Sequence, residues 1–176
     1  MRYAAFLRGI NVGGRLIVKM ADLTVMLEKA GFTEVQTILT SGNVIFDSET
    51  TNSEALEKKI ETLLQKKYKR DIAVMVRNIS EIKKMDAFQP FSGVKTTPNT
   101  RLYVVFLSEH SKGVKIPDEN VNFRIVRILN GDAFVALELS DEYGTTDWMK
   151  TLEKVFGKRF TTRNWNTIQK VLKSAA

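Results

Sequence analysis

The spacing of apolar positions predicts four elements in the first 50 residues. Residues 2–7, RYAAFL, form a short apolar run that is typical of a strand. The stretch MADLTVMLEKAGF repeats its apolar residues at helical spacing, and Gly31 is placed to end that helix. EVQTILTSGNVIFDS then predicts two strands joined by a two-residue turn at Ser41 and Gly42.

A second helix and a fourth strand complete the first half of the chain. Helical spacing of leucine and isoleucine runs from about Ser53 to Tyr68, with Thr51 and Glu54 placed as a capping box. DIAVMVR follows as a strand. The order strand, helix, strand, strand, helix, strand predicts an α+β fold with an N-terminal ferredoxin-like β-α-β-β-α-β subdomain over residues 1–78.

Residues 79–176 predict a second α+β subdomain that covers the sheet of the first. The strands at 2–7 and 72–76 are apolar on both sides, whereas a sheet with one wet face should alternate. No internal repeat is evident in the sequence. The predicted elements are a short helix near 79–88, a strand at 101–107, a hairpin turning at Asn130 and Gly131, and helices near 147–156 and 163–173.

Composition excludes several kinds of chemistry. The 176 residues contain no cysteine, which excludes thiol catalysis and cysteine-ligated zinc. The single histidine, His110, falls in a polar loop and is interpreted as a surface residue, so no metal site is predicted. The formal charge of +7 is spread along the chain, which favours anionic partners in general.

The chain carries no pattern of a membrane or RNA-recognition protein. The apolar run at its start is too short for a signal peptide, and no run approaches a membrane span, so we expect a cytoplasmic protein without a membrane partner. The strand containing SGNVIFDS offers one aromatic residue, Phe46, where an RNA-recognition module needs several. Nucleic acid is therefore left open as a partner but has no recognisable motif, and an oligomer is equally open.

The glycine-rich stretch LRGINVGG follows the first strand and allows two interpretations. Its spacing matches neither G-x-x-x-x-G-K-[ST] nor G-x-G-x-x-G, which excludes the common nucleotide motifs. Glycine backbone can form an anion-binding nest, with charge from Arg8 and Arg15. Alternatively, the glycines only let the chain turn with positive φ. The candidate ligand-binding residues here are Arg8, Asn11, Gly13 and Gly14.

TTRNWNTIQKVLK, near the C-terminus, also allows two interpretations. Trp165 belongs to the apolar stripe of a helix that we expect Thr161 or Thr162 to cap. The first turn would carry Arg163, Asn164, Asn166 and Thr167 as an anion site. Alternatively, Arg163 and the asparagines brace the neighbouring subdomain through hydrogen bonds.

A second candidate surface contains Ser41 and Asn43. We expect the loop after the first strand and the hairpin before Asn43 to lie at opposite ends of the sheet, which would keep Asn11 and Asn43 apart. The C-terminal helix would then adjoin only one of them, and we place it at the end that holds Arg8 and Gly13.

Three motifs, LRGINVGG, SGNVIF and TRNWNT, resemble the signatures of a bacterial family of proteins of unknown function, number 1697 in its series. The resemblance runs from the first strand to the last helix and implies a small single-chain α+β protein, but it implies no reaction. The matching positions are Arg8, Gly9, Asn11, Gly13, Gly14, Ser41, Gly42, Asn43, Thr162, Arg163, Asn164, Trp165, Asn166 and Thr167.

Three functions remain open from the sequence. The first is binding of a small phosphate- or carboxylate-bearing ligand, or of an acidic partner. The second is a transferase or hydrolase that holds an anionic substrate with the same groups, and the third is a purely interaction-based or oligomeric role. The sequence identifies no cofactor and no catalytic residue.

Overall fold

In the computed structural model, which describes residues 1–14, 16–108, 113, 115 and 117–176, two four-stranded sheets combine with helices. Arg15 and His110 lie outside the described residues. The strands are β1 (Arg2–Leu7), β2 (Thr33–Ile38), β3 (Asn43–Asp47), β4 (Val74–Asn78), β5 (Thr100–Leu107), β6 (Phe123–Leu129), β7 (Asp132–Glu138) and β8 (Phe160–Asn164). The helices are α1 (Met20–Lys29), α2 (Ser53–Tyr68), α3 (Ile79–Ala87), α4 (Thr145–Phe156) and α5 (Trp165–Ser174). The predicted α+β class is confirmed.

The first sheet has the strand order β2-β3-β1-β4, and every neighbouring pair is antiparallel. Both α1 and α2 pack on one face of it, around Tyr3, Phe46 and Val76. As expected, α1 ends in a Schellman motif, in which the amides of Gly31 and Phe32 donate to the last turn. The expected capping box of α2 is wrong: Asn52 is the N-cap, and its side chain accepts from the amide of Ala55 at 3.1 Å.

The second sheet repeats the strand order of the first, as β6-β7-β5-β8. The register of the strands shows the correspondence. In the first sheet, Ala4 of β1 lies opposite Arg77 of β4, and in the second sheet Val104 of β5 lies opposite Arg163 of β8. Identical residues recur at matching places on β1 and β5, namely Tyr3 and Tyr103, Phe6 and Phe106, and Leu7 and Leu107. The fold therefore contains a structural repeat, which corrects the expectation of a chain without one.

A shared apolar interior joins the two sheets. The rings of Phe6 and Phe106 stack in it with centroids 4.4 Å apart and planes at 7°. α3 and α5 pack on the same interior, while α4 covers the far face of the second sheet with its fully buried Trp148. Residues that follow position 78 thus cover the face of the first sheet that α1 and α2 leave open. The residues of this interior include Ala4, Phe6, Ile45, Met75, Ile82, Val104, Phe106, Phe134, Ile168 and Val171.

Candidate functional site

Arg163 lies on β8, not in the first turn of a helix as the sequence suggested. FTTRN pairs with β5 as an edge strand, and α5 begins after it at Trp165. Asn164 is the N-cap, because its side chain accepts from the amide of Asn166 at 2.9 Å, so the expected caps at Thr161 and Thr162 are wrong. Only 7% of the surface of Arg163 is exposed. Its guanidinium therefore points into the protein.

Every nitrogen of the Arg163 guanidinium donates to a neighbouring group. Its central carbon, Cζ, also lies over the ring of Phe6, at 5.6 Å from the ring centroid. This is the geometry of the bracing alternative, because the hydrogen bonds join β8 to the end of β1 and the start of β3. The acceptors are Asn43 Oδ1 at 2.5 Å, Thr161 Oγ1 at 2.8 Å, and the carbonyl oxygens of Leu7 at 2.6 Å, Ser41 at 3.0 Å, Gly42 at 3.1 Å and Thr162 at 2.8 Å.

The glycine-rich loop and the β2–β3 hairpin lie at the same end of the sheet, which corrects the expectation that they are separated. The side-chain amide of Asn11 donates to the carbonyl of Thr40 at 2.7 Å. Because α1 carries the chain back across the sheet, β2 runs in the same direction as β1, and both strands end at one edge. The motifs that contain Asn11, Asn43 and Arg163 therefore meet in one place.

Asn11 closes the glycine-rich loop at its base. Its side chain donates to the carbonyl of Val18 at 2.9 Å and accepts from the amide of Val18 at 2.8 Å. Gly13 and Gly14 form the outer part of the loop at φ +61° and +69°, so the turn interpretation has direct support. No described residue accepts a hydrogen bond from the amides of Val12, Gly13 and Gly14.

The side chain of Arg8 contacts residues of the second half of the chain. Its guanidinium forms an ion pair with Glu153 of α4 and lies 4.7 Å from the ring centroid of Phe160. Since these partners occupy the side chain, Arg8 contributes to the joining of the two halves. The expectation that it supplies charge to the glycine-rich loop is not supported by its position.

The hairpin between β2 and β3 contains the four residues 39–42, not the two-residue turn expected at Ser41 and Gly42. Gly42 has φ +80°, and a Cβ placed on it would lie 2.8 Å from Cδ1 of Ile10 and 2.9 Å from Cβ of Leu7. Only glycine allows this approach of the hairpin to the end of β1. The exposed Ser41 accepts from the side-chain amide of Asn43 at 3.0 Å.

The remaining candidate residues lie in a different place. Asn164 and Asn166, at the start of α5, line a polar cavity of about 450 Å³ with Trp165 and Arg101. Trp165 is half-buried and packs edge-on against Phe91, with ring centroids 5.5 Å apart, which agrees with a packing role. Thr167 follows in the same first turn. The residues that the sequence predicted as one anion site therefore lie in two places, with Arg163 against β1 and β3 and the asparagines at the start of α5.

A second buried arginine, Arg77 on β4, occupies the position that corresponds to Arg163. Its Nε and Nη2 donate to the two carboxylate oxygens of Asp132 at 2.8 and 2.6 Å, and Nη2 donates to the carbonyl of Leu107 at 2.6 Å. Its guanidinium lies 5.7 Å from the ring centroid of Phe106. Each half thus inserts an arginine into the other half. The sequence signal was the repeated Arg-Asn pair that ends β4 and β8, followed in each case by a helix.

The two arginines differ in the charge of their surroundings. Burial alone lowers the pKa of Arg163 to about 10, and no carboxylate among the described residues lies within ion-pair distance of it. Burial acts to lower the pKa of Arg77, but the charge and hydrogen bonds of Asp132, together with the charges of Glu57 and Glu81, outweigh this effect and raise that pKa above its usual value. Of these two buried arginines, only Arg163 therefore has no neighbouring carboxylate among the described residues, so its positive charge is not neutralised inside the protein.

Two further features bear on the chemistry of the described part of the chain. Its aspartate and glutamate side chains form no cluster of three or more that could hold a metal ion. No helix in the same described ranges has both the length and the apolar character needed to cross a membrane.

Comparison with known proteins places the chain in a family without assigning it a reaction. Curated proteins include none that matches it. A solved structure, that of the conserved bacterial protein SP0830 from Streptococcus pneumoniae, aligns with 99% of this chain and 98% of its own, at a TM-score of 0.74 and 22% identity. That likeness shows a shared fold. The model of the family described as protein of unknown function (DUF1697) matches residues 1–120, which include the glycine-rich loop and the hairpin, and the chain therefore belongs to the DUF1697 family.

Proposed function

We propose that this protein binds a small phosphate- or carboxylate-bearing anion at the surface above Arg163, between the glycine-rich loop 8–14 and the hairpin 39–42. The observation that carries the proposal is the buried Arg163 guanidinium, which has hydrogen-bond acceptors on every nitrogen but no neighbouring carboxylate among the described residues. The charge of a buried group is screened by salt much less than that of an exposed group.

The backbone near Arg163 also supports the binding of an anion at this surface. The carbonyl of Ser41 points at the guanidinium, and in a planar trans peptide the amide of Gly42 then points the opposite way. The amides of Val12, Gly13 and Gly14 add donors that no described residue uses. Backbone amides of this kind, together with a fixed positive charge, favour an anion over a neutral ligand.

The proposal also includes the division into subdomains and the cellular location. We interpret residues 1–78 and 79–176 as two subdomains, the first of them ferredoxin-like, on the basis of the strand order β2-β3-β1-β4 and the position of α1 and α2 on one face. A cytoplasmic location agrees with a sequence that lacks cysteine.

The test compares Arg163→Lys with Arg163→Gln. Both variants lose most of the hydrogen bonds that brace β1 and β3, so both should melt earlier than the wild type. Only Arg163→Gln loses the charge. Inorganic phosphate should therefore raise the Tm of the wild type and of Arg163→Lys, and its affinity for Arg163→Gln should fall about tenfold or more, which corresponds to roughly 1.4 kcal/mol.

The measurement is a thermal-shift titration with phosphate at low ionic strength, matched by chloride at the same ionic strength. Equal phosphate effects on all three proteins would show non-specific binding, and no effect on any would leave Arg163 as a brace alone. Either result would refute the proposed anion site.

A docking surface for an acidic protein partner is a second candidate at the same end of the molecule. Three large apolar side chains are exposed there, Val12, Ile17 and Leu39. Exposed apolar groups of this kind are more typical of a protein interface than of a phosphate site. Failure of the phosphate titration would favour this candidate.

A further inference from the structure

We propose that Asn43 is the residue that makes the N-terminal half selective for anions, because its neutral amide occupies the place of the Asp132 carboxylate in the other half. The inference rests on the proposed function, since it names the residue that sets the charge of the same site. Asn43 itself is fully buried and would not contact the ligand.

The structural repeat establishes that Asn43 and Asp132 are equivalent. Asn43 is the first residue of β3, which pairs with β1, and Asp132 is the first residue of β7, which pairs with β5. Each follows a glycine with positive φ, Gly42 or Gly131. Each also accepts from Nε of the arginine that the opposite half inserts, Asn43 at 2.5 Å and Asp132 at 2.8 Å.

The two positions differ in charge. Around Arg77, the Asp132 carboxylate is joined by Glu57, whose Oε1 lies 3.7 Å from Nη1 of the arginine, so acidic groups surround that guanidinium. Around Arg163, Asn43 provides the same hydrogen bond without a negative charge. The positive charge of Arg163 is thus left for a ligand at the surface, whereas that of Arg77 is neutralised inside the protein.

The amide of Asn43 also has a local role that a carboxylate could not take over. Its Nδ2 donates to the carbonyl of Ile38 at 2.8 Å and to Oγ of Ser41 at 3.0 Å, which fixes the hairpin. Asp132 has no corresponding donor and instead accepts from the amide of Leu107 at 3.1 Å. An Asn43→Asp variant therefore has a cost in stability that is separate from its effect on charge, and a second variant is needed.

Thr161→Asp provides that second variant, because it adds a carboxylate on another side of the same guanidinium. Oγ1 of Thr161 accepts from Nη1 of Arg163 at 2.8 Å, and the hydrogen bonds of Asn43 stay in place. The control is Asn120→Asp, which adds the same charge in an exposed loop. Among the described residues, the Asn120 side chain acts as an acceptor, for the amides of Asn122 and Phe123.

Phosphate affinity is measured by calorimetric titration at low ionic strength on each variant that melts cooperatively. We expect Asn43→Asp and Thr161→Asp each to lose about tenfold or more in affinity, and Asn120→Asp to stay within about twofold of the wild type. Wild-type affinity in either carboxylate variant at the Arg163 cluster would overturn the assignment, and so would an equal loss in Asn120→Asp. A wild type that binds no phosphate would instead refute the anion site itself, so the two failures are distinguishable.

Discussion

At the residue scale, the hairpin and the glycine-rich loop use glycine for different physical reasons. Gly13 has positive φ but open space around it, whereas Gly42 has positive φ and also lies against the side chains of Leu7 and Ile10. An alanine at Gly13 is strained only in its backbone. An alanine at Gly42 must also push apart the groups that hold the hairpin over Arg163.

Gly13→Ala and Gly42→Ala should therefore differ in stability. We expect Gly13→Ala to lower the free energy of unfolding by about 1 kcal/mol, from backbone strain alone. Gly42→Ala should cost roughly 2 to 4 kcal/mol, because about 1 to 3 kcal/mol of overpacking is added. Urea denaturation of both variants checks the order. Equal losses would show that the contact with Ile10 relaxes without cost.

At the element scale, local signals predicted some segments well and missed one that matters for function. The Asn130-Gly131 turn and the helix α2 were predicted at their observed positions, because turn chemistry and helical periodicity are written in adjacent residues. β8 was missed because its polar Thr161 and Thr162 resemble a helix cap. The partners of Arg163 in the first half of the chain are 120 to 156 positions away, so no local pattern could place it.

The edge of the first sheet is closed by carboxylates from α2. Oε1 of Glu57 accepts from the amide of Val76 at 2.8 Å, and Oε1 of Glu61 accepts from the amide of Val74 at 3.0 Å. These amides belong to the edge strand β4, whose outward donors would otherwise be free to pair with another chain. Burial of Glu57 raises its pKa to about 7.

The raised pKa predicts that Glu57 lowers the free energy of unfolding by an amount that depends on pH. The folded protein keeps the proton up to about pH 7, while the unfolded chain releases it near 4.5, so stability falls as the pH rises between these values. Glu57→Gln should therefore gain stability relative to the wild type over this range, by up to about 3 kcal/mol above pH 7. Urea denaturation at pH 4.5, 6 and 8 measures the difference, with the exposed Glu49→Gln as the control for loss of one charge. A difference that does not change with pH would contradict the prediction.

At the scale of the whole molecule, the two sheets are joined by a reciprocal exchange of arginines around a shared aromatic pair. Arg77 enters the second half and Arg163 enters the first, while Phe6 and Phe106 stack between them. The sequence predicted that later residues would cover the open face of the first sheet, because its strands are apolar on both sides. It did not predict the symmetry of the cover, since only a few identical residues mark the repeat.

This arrangement predicts that residues 1–78 cannot form a stable monomer alone. The fragment would expose Phe6 and Met75 to water, and the Arg77 guanidinium would lose its hydrogen bonds to Asp132. We expect the fragment to be unfolded or to self-associate through the exposed face. A second copy can imitate residues 79–176 only in part, because it offers Asn43 where Arg77 needs a carboxylate. Light scattering measures self-association of the fragment, and amide hydrogen exchange measures its folding. Co-expression with residues 79–176 should restore protection of its amides from exchange. A protected monomeric fragment would show that the first sheet is stable without its cover.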